Sequence, residues 1–236
     1  MAHTQSRTAL ITGATRGLGF ALARALAHEG WHLIINGRDE AALEAARLSL
    51  SALTVVTAVQ GDVAGAETRE ALAMAAEAAG GLSVIVNNAS TLGMSPQPQL
   101  LKCPSSVLET IYYLNVFAPI TLLQSCRKSL PKGAVVVNVT SDAAVEAYPG
   151  WGGYGSSKAT LEHLSAILAV EQPDWRVYWV DPGDMRTQMH QDAFPGEDIS
   201  DRPLPDTSVP GILTLINGDY PSGRYVARDV DPGGEQ

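Results

Sequence analysis

Short apolar runs rich in β-branched residues alternate with helix-like stretches along most of this chain. The runs lie at 8–14, 31–37, 52–63, 82–90, 133–141 and 175–183, and the helix-like stretches lie at 17–30, 39–50, 66–80, 105–128 and 155–172. Strands that are buried on both faces, and that are each followed by a helix, pair in parallel through right-handed crossovers. The alternation therefore predicts an α/β fold, in which a doubly wound parallel sheet forms the middle layer of a three-layer α/β/α sandwich.

The bulk composition is typical of one globular unit. The chain has 236 residues, of which 45% are hydrophobic and 17% are charged, and we expect a single domain over 1–236. The formal net charge of −9 argues against nucleic acid or an anionic membrane as a partner, because both bind basic surfaces. No basic leader is evident, and no apolar run approaches the roughly 20 residues of a membrane span. These features predict a cytoplasmic protein.

The cysteines and histidines suggest no metal site. Cys103 and Cys126 form neither a disulfide framework nor a metal-ligand spacing, and we expect two reduced thiols. His28 and His32 are four residues apart, but Gly30 lies between them, where a helix is expected to end.

The regular alternation stops after the sixth run. The segment 184–210 is rich in proline and aspartate, which predicts a substrate loop or small lid over an open site. A short helix, a turn and a last strand candidate at 223–227 follow, and 228–236 is predicted to be a frayed tail.

The turn between the first run and the first helical stretch reads TGATRGLG, residues 12–19. Glycines let the backbone approach a ligand closely, and the amino terminus of the following helix favours a phosphate group. Ligands of doubly wound sheets bind outside the carboxyl ends of the strands, which is where this turn lies. We therefore expect a dinucleotide site that includes Gly13, Thr15, Arg16, Gly17, Leu18 and Gly19.

The end of the second run indicates which dinucleotide is bound. Sites that prefer NAD usually place an acid there to bind the ribose hydroxyls, whereas this chain has Asn36, Gly37 and Arg38, with Asp39 just beyond. The guanidinium of Arg38 can fork onto a 2′-phosphate, and Arg16 can add a second positive charge. These residues favour NADP(H), with NAD(H) as the alternative if Arg38 is only a solvated residue before a helix.

A tyrosine and a lysine lie one helical turn apart, at Tyr154 and Lys158, downstream of the fifth run. The ordinary pKa of tyrosine, about 10, is too high for easy proton exchange near neutral pH, and a nearby ammonium lowers it. Ser141, at the end of the fifth run, can donate to a substrate oxygen on which charge develops. Such a pair in isolation is more often a packing tyrosine and a solvated lysine, but Ser141 and the cofactor turn favour a catalytic set.

Five motifs in order resemble those of the short-chain dehydrogenase/reductase family in its compact, single-domain type. They are TGxxxGxG at 12–19, NNAS in place of NNAG at 87–90, Asn115, the set Ser141, Tyr154 and Lys158, and PGxxxT at 182–187. The motifs cover roughly three-quarters of the chain, from 8 to 187. The resemblance implies a Rossmann-type fold and an NAD(P)-dependent oxidoreductase that moves a hydride between nicotinamide and a carbonyl or secondary alcohol.

The resemblance also implies roles for single residues. Tyr154 would be the general acid for reduction or the base for oxidation, and Lys158 would tune it and hold the nicotinamide ribose. Asn115 would hold a water that links Lys158 to solvent. Further cofactor contacts implied in this way are Asp62 and Val63 beside the adenine, Asn88, Ala89 and Ser90 beside the adenine-side ribose, and Pro182, Gly183, Met185 and Thr187 beside the nicotinamide.

Three positions leave their roles open. Asn87 is either part of the cofactor site or a structural tie between strands. Ser90 replaces the glycine of the family pattern, and either crowds the ribose or adds a hydroxyl contact. Asp181 precedes the PG pair where a small or apolar residue is common, and is either a turn-forming aspartate or a functional acid.

The substrate side carries the weakest pattern. Tyr148 and Trp151, between Ser141 and Tyr154, are predicted to line the substrate pocket. Apolar candidates for the same wall are Leu92, Met94, Met185 and Met189, and Arg186 is a possible charged contact. No other basic cluster is available for a phosphate or carboxylate on the substrate.

Two other classes of function compete with a carbonyl reductase or alcohol dehydrogenase. A catalytically silent dinucleotide-binding redox sensor would not need the complete set of Ser141, Tyr154, Lys158 and Asn115. A sugar-nucleotide epimerase or dehydratase shares the Tyr-xxx-Lys pair, but needs a larger substrate region than the chain has after Gly183. The family resemblance further implies a homodimer or homotetramer, built by pairing the long helices near 105–128 and 155–172.

Overall fold

A seven-stranded parallel sheet forms the centre of the molecule, and the computed structural model describes residues 7–231. The strands are Thr8–Ile11 (β1), His32–Gly37 (β2), Val56–Gln60 (β3), Val84–Asn87 (β4), Val135–Val139 (β5), Arg176–Asp181 (β6) and Gly223–Val226 (β7). Their order is β3-β2-β1-β4-β5-β6-β7, and every neighbouring pair is parallel. Successive strands are added toward one side of the sheet from β1 to β3 and toward the other side from β4 to β7. The order therefore reverses between β1 and β4, where a ligand site is expected. The predicted Rossmann-type fold is confirmed.

Helices cover both faces of this sheet. They are Gly17–His28 (α1), Glu40–Ser51 (α2), Ala66–Ala78 (α3), Ser105–Tyr112 (α4), Ala118–Ser125 (α5), Gly152–Glu171 (α6), Gln188–Ala193 (α7) and Val209–Asn217 (α8). On one face, buried side chains of α1, α2 and α8 pack on the sheet, and on the other face those of α3 and α5 do so. Along β1, Ala9 and Ile11 belong to the first core and Leu10 to the second, as the two-residue repeat of a strand requires.

Most strands are shorter than the apolar runs that predicted them, because the ends of the runs belong to turns. The run at 52–63 contains only β3, since Leu53 donates its amide to Leu50 O at 2.9 Å and so still closes the end of α2. Gly61 has a φ of 141°, which ends the strand on the other side. In contrast, α6 begins earlier than the predicted 155, and this places Tyr154 in its first turn.

The predicted helical stretch at 105–128 is not one regular helix. Residues Tyr113–Phe117 form a π-helical turn between α4 and α5, and Asn115 lies at its centre. Such turns in helices occur frequently at functional sites. Ser105–Ser125 also has the length and mean hydropathy, 21 residues and 1.3, of a membrane span, contrary to the expectation that no stretch approaches one. In this structure Leu122 and Leu123 pack in the second core, and core helices commonly meet the same criterion.

The segment predicted as a lid is folded. Within 184–210 lie α7, a short 3₁₀ turn at Pro205–Thr207 and the start of α8. Residues 228–231 of the predicted tail are also held, because Arg228 donates to Asp184 O and Val230 packs against the first core. The rest of that prediction, 232–236, lies outside the described residues.

Candidate active site

A groove of about 600 Å³ runs along the carboxyl edge of the sheet. Its wall contains most of the residues that the sequence singled out: Gly13, Thr15, Arg16, Gly17, Leu18, Asn36, Gly37, Arg38, Asp62, Val63, Asn88, Ala89, Ser90, Leu92, Ser141, Trp151, Tyr154, Lys158, Pro182, Gly183, Met185, Arg186, Thr187 and Met189. Gly19, Asn115, Tyr148 and Met94 are not part of this wall. The parallel sheet thus gathers residues from 13 to 189 at one edge.

The glycine turn forms a cradle that side chains would fill. Gly13 and Gly17 have φ values of 63° and 57°, which L-residues rarely adopt. A Cβ on Gly19 would lie 2.4 Å from Gly13 O and 2.5 Å from Asn88 Nδ2. Gly19 therefore acts behind the groove, by letting α1 start close to the turn. The cradle and the amino terminus of α1 fit the pyrophosphate of a dinucleotide.

Thr12 ties this turn to the end of β4, a role that the sequence analysis missed. Its hydroxyl accepts the amides of Asn88 at 3.0 Å and Ala89 at 3.1 Å. Asn88 returns the contact through Nδ2, which donates to Thr12 O at 2.9 Å and to Gly13 O at 3.0 Å. The side chain and the backbone amide of Asn88 are therefore engaged with the protein, which leaves its main-chain carbonyl oxygen for a cofactor. The TG pair at the end of β1 was the available signal.

Neighbouring asparagines link strands below the groove. Asn87 Nδ2 donates to Asn138 Oδ1 at 2.7 Å, and Asn138 Nδ2 donates to Ser165 Oγ on α6 at 2.8 Å. All three residues are buried. Of the two roles left open for Asn87, the structure supports the tie between strands.

The positive charge at the end of β2 is free to meet a ligand. Arg16 and Arg38 are exposed at the groove, and within residues 7–231 neither side chain has a hydrogen-bond or ion-pair partner. Asp39 instead caps α2, because its Oδ1 accepts the Ala42 amide at 2.7 Å. Asn36 lines the groove, but its Nδ2 donates to the carbonyl oxygens of Val59 and Gly61, each at 3.0 Å. The side chain of Asn36 therefore holds the turn after β3 and has no free donor for a cofactor.

Asp62 also turns toward its own loop. Its Oδ1 accepts the Ala64 amide at 2.9 Å, and its carbonyl oxygen accepts the Gly65 amide at 2.8 Å. The carboxylate thereby orders the start of α3. Val63 beside it is buried in the second core and still forms part of the groove wall.

Ser141, Tyr154 and Lys158 converge at the other end of the groove. Lys158 is buried and its Nζ donates to Val139 O at 2.7 Å, at the end of β5. The same ammonium lies 5.5 Å from the centre of the Tyr154 ring. Ser141 Oγ donates to Asp142 Oδ1 at 2.8 Å and accepts the Ala143 amide at 3.2 Å. The three side chains therefore share one corner of the groove between β5 and α6.

The pKa of Tyr154 differs in direction from the sequence-based expectation. Burial raises it above the ordinary value, and the carboxylates of Asp181 and Asp142 add to this rise. Hydrogen bonding with the hydroxyls of Ser90 and Ser141 opposes the rise. Lys158 does not lower the pKa here, since burial lowers the pKa of its own ammonium to about 7 and so weakens the positive charge.

Lys158 should give stability a measurable pH dependence. Because its pKa falls from 10.5 to about 7 on folding, the unfolded chain binds more protons between these pH values. The free energy of unfolding should therefore rise with pH in this window, by up to about 1.4 kcal/mol per pH unit, and this stability is lost as the pH falls toward 7. Denaturant titrations of the cofactor-free protein at several pH values give the free energy of unfolding at each pH. This free energy should rise less steeply with pH for Lys158→Met than for the wild type. Equal slopes would contradict the assignment.

Asn115 connects the loop after β4 to α6. Its Nδ2 donates to Thr91 O at 2.9 Å and Ser157 Oγ at 3.0 Å, while its Oδ1 accepts from Ser90 Oγ at 3.1 Å and the Thr91 amide at 2.9 Å. The side chain is buried and all of its donors and acceptors are used. Of the two roles left open for Ser90, the structure supports an added hydroxyl contact, made to Asn115.

Trp151 forms the groove wall beyond Tyr154, and Phe194 packs behind it. Trp151 lies edge-on to Tyr154 with ring centres 5.7 Å apart, and 5.8 Å from Phe194 of the lid segment. Tyr148, predicted to line the pocket, lies outside the groove, because its hydroxyl points to two carboxylates, Glu146 Oε2 at 2.9 Å and Asp142 Oδ2 at 3.1 Å, which share its one donor hydrogen. The sequence analysis did not single out Phe194.

Comparisons with known proteins agree with this geometry. The family model for short chain dehydrogenase matches residues 7–198. "Dehydrogenase/reductase SDR family member 4" of Bos taurus is 34% identical over 189 residues, which cover 77% of this chain and 67% of that protein. Among solved structures, a short chain dehydrogenase from Pseudomonas syringae superposes with a TM-score of 0.88 at 27% identity, covering 94% of both chains.

A second solved structure carries a nucleotide. A short chain dehydrogenase from Shigella flexneri complexed with NADP superposes with a TM-score of 0.87 at 27% identity, covering 94% of this chain and 97% of that one. The fold, the groove and these matches lead to one classification. The chain belongs to the short-chain dehydrogenase/reductase family and is an oxidoreductase.

Proposed function

We propose that this enzyme is an NADP(H)-dependent oxidoreductase, which transfers a hydride between the nicotinamide and a carbonyl or secondary alcohol. The observation that carries the proposal is the convergence of Ser141, Tyr154 and Lys158 in one groove with the glycine cradle. Two arginines whose side chains have no partner within residues 7–231 support NADP(H): Arg16 in the glycine turn and Arg38 at the end of β2. The NADP complex of the Shigella flexneri relative is consistent with this cofactor. NAD(H) is the alternative cofactor.

The two ends of the groove divide the work. The glycine turn and the amino terminus of α1 would hold the pyrophosphate, Arg16 and Arg38 the 2′-phosphate, and Pro182, Gly183 and Thr187 the nicotinamide end. When bound, the cofactor supplies the hydride for the carbonyl carbon. The protein's own groups must then orient the carbonyl and supply a proton to its oxygen.

Tyr154 is the proposed proton donor. The phenol is protonated at neutral pH, as a general acid in reduction must be, while burial raises its pKa and makes it a weaker acid that depends on a closely held substrate oxygen. Ser141 donates a second hydrogen bond to the oxygen on which charge develops. Its hydroxyl must turn away from Asp142 Oδ1, to which it donates at 2.8 Å, before it can do so.

Lys158 and Asn115 complete the proposed path for protons. Lys158, with a pKa near 7, can exchange a proton at physiological pH and hold the nicotinamide ribose. The side chain of Asn115 has four protein partners and no free site for a water. The water that the family resemblance assigns to Asn115 would therefore have to be held by a group other than its side chain.

A homodimer or homotetramer is part of the proposal. Tyr113, Phe117 and Val170 expose 60%, 51% and 81% of their surface, and they lie on the helical stretch 113–117 and on α6. Exposed apolar groups of this kind mark interaction surfaces. Pairing of these helices with a second copy would cover them.

The direct test is turnover. The purified enzyme should oxidise NADPH faster than NADH in the presence of a panel of aldehydes and ketones, followed by nicotinamide absorbance. Ser141→Ala should lower kcat by about 10- to 1000-fold without weakening NADPH binding. Binding of NADPH with no turnover on any substrate, in either direction, would favour the silent redox sensor.

A further inference from the structure

Arg224 of β7 reaches across the sheet to the ends of two neighbouring strands. Its Nη2 donates to Asp181 Oδ2 at 3.2 Å and to the carbonyl oxygen of Ser141 at 3.3 Å, and its Nε donates to Glu162 Oε1 at 3.0 Å. One guanidinium thus joins the end of β6, the second residue after β5, and α6. No motif in the sequence pointed to this arginine.

Both carboxylates that face Arg224 make a further contact at the active-site edge. Asp181 Oδ1 accepts the Gly183 amide at 2.9 Å, which fixes the turn beside the groove. Glu162 lies one helical turn after Lys158 on α6, and its Oε1 also accepts from Thr140 Oγ1 at 2.8 Å. The network therefore reaches the backbone on both sides of the corner that holds Ser141.

The network is built where water competes weakly. The side chains of Asp181, Glu162 and Arg224 are 8%, 13% and 26% exposed. Hydrogen bonds between charged groups are stronger than those between neutral groups, and the planar guanidinium presents several donors in a fixed geometry. Lysine offers a single point charge, and glutamine has only the two donors of its amide. Neither can reproduce all three contacts of Arg224.

We infer that Arg224, together with Asp181, is a positioning residue that holds Ser141 and the Asp181–Gly183 turn in the arrangement needed for hydride transfer. The inference rests on the proposed function, in which Ser141 orients the carbonyl and Pro182 and Gly183 border the nicotinamide. It also assigns a role to Asp181, which precedes the PG pair. Arg224 itself touches neither reacting group, and it acts through the backbone of Ser141 and the carboxylate of Asp181.

The test compares kinetics and local backbone mobility in matched variants. Arg224→Gln should lower kcat for NADPH-dependent carbonyl reduction by about tenfold or more, because small displacements of orienting groups are costly, while the KM for NADPH stays within about twofold. Hydrogen exchange should become faster at 140–144 and 181–184 and stay unchanged in β1 and β2. Arg224→Lys should give a kcat and exchange rates between those of the wild type and those of Arg224→Gln.

A double variant and a remote arginine separate positioning from general destabilisation. Asp181→Asn combined with Arg224→Gln removes both charges and lets two amides pair, so its kcat should exceed that of Arg224→Gln alone. Arg176→Gln is the control, since Arg176 lies at the amino end of β6 and donates to Gly218 O, far from the groove. It should lower stability and leave kcat unchanged.

The outcomes distinguish this inference from the proposed function. An active wild type whose Arg224→Gln variant keeps its kcat, or loses no more than Arg176→Gln does, would overturn the role of Arg224 and leave the proposed function intact. A wild type that reduces no carbonyl with either nucleotide would overturn the proposed function and the catalytic part of the inference together. Unchanged exchange at both turns would overturn the structural part by itself.

Discussion

Replacement of Tyr154 by phenylalanine is expected to lower kcat by a factor of about 10² to 10⁴ and to leave the affinity for NADPH close to that of the wild type. The hydroxyl is the group that would supply the proton, whereas the ring is held by packing. That packing, with Trp151 at 5.7 Å and the Lys158 ammonium at 5.5 Å from the ring centre, survives the loss of one oxygen. The variant should therefore fold and bind cofactor normally.

Steady-state reduction of a substrate found for the wild type measures the first quantity, and nicotinamide fluorescence on titration with NADPH measures the second. Tyr112→Phe is a matched control, since it removes a hydroxyl that donates to Ser156 Oγ at 3.1 Å on the outer side of α6. It should leave kcat unchanged. A Tyr154→Phe enzyme with wild-type kcat would exclude the phenol as the acid, and would direct attention to Lys158 or to a water.

The alternation of runs and helices was sufficient to predict the sheet, because strands buried on both faces leave little choice of pairing. It could not predict where each strand ends. The boundaries depend on turn geometry, such as the positive φ of Gly61 and the amide of Leu53 that closes α2. Nor does the repeat distinguish the π-helical turn around Asn115 from regular helix, since the two differ by one residue in hydrogen-bond register.

The positions of most groove residues were predictable because they lie at or soon after the end of a strand, and the carboxyl ends of parallel strands meet at one edge. The partners of those residues were not. Arg224 lies more than 40 residues beyond Asp181 in the chain, and only the adjacency of β6 and β7 brings them together. Tyr148 was misplaced for a different, local reason, because its hydroxyl bonds to Asp142 and Glu146 in its own loop and does not enter the groove.

The charge on Lys158 illustrates a different limit. From the sequence, a lysine one turn from a tyrosine is a positive charge that lowers the pKa of the phenol. In the structure both groups are buried, and burial disfavours the charged form of each. The pKa of Tyr154 is therefore raised and that of Lys158 is lowered, and both shifts favour the neutral form. A neutral phenol is the form from which reduction starts, but burial raises the pKa of Tyr154 and so does not supply the lowering that the charge was expected to supply.

Arg38→Asp is expected to reverse the preference between cofactors. The side chain of Arg38 has no protein partner among the described residues. Its guanidinium can therefore fork onto the 2′-phosphate of NADPH without breaking another contact. Losing that contact and placing a carboxylate there should weaken NADPH binding by about 10- to 100-fold. The same carboxylate can accept the ribose hydroxyls of NADH, whose binding should stay equal or improve.

Fluorescence titrations of both nucleotides against the wild type, Arg38→Asp and Lys132→Asp measure this directly. Lys132→Asp changes the net charge by the same amount as Arg38→Asp. The Lys132 side chain is 86% exposed and pairs with Asp174. It lies just before β5, at the amino edge of the sheet, whereas the groove lies at the carboxyl edge. This variant corrects for long-range electrostatics, and it should leave the ratio of the two affinities unchanged. Equal binding of NADPH and NADH to the wild type would reject Arg38 as the phosphate contact. Asp39 would not then explain NADH binding unless it left the Ala42 amide that it caps at 2.7 Å, and that change would appear as faster hydrogen exchange of the Ala42 amide in the NADH complex.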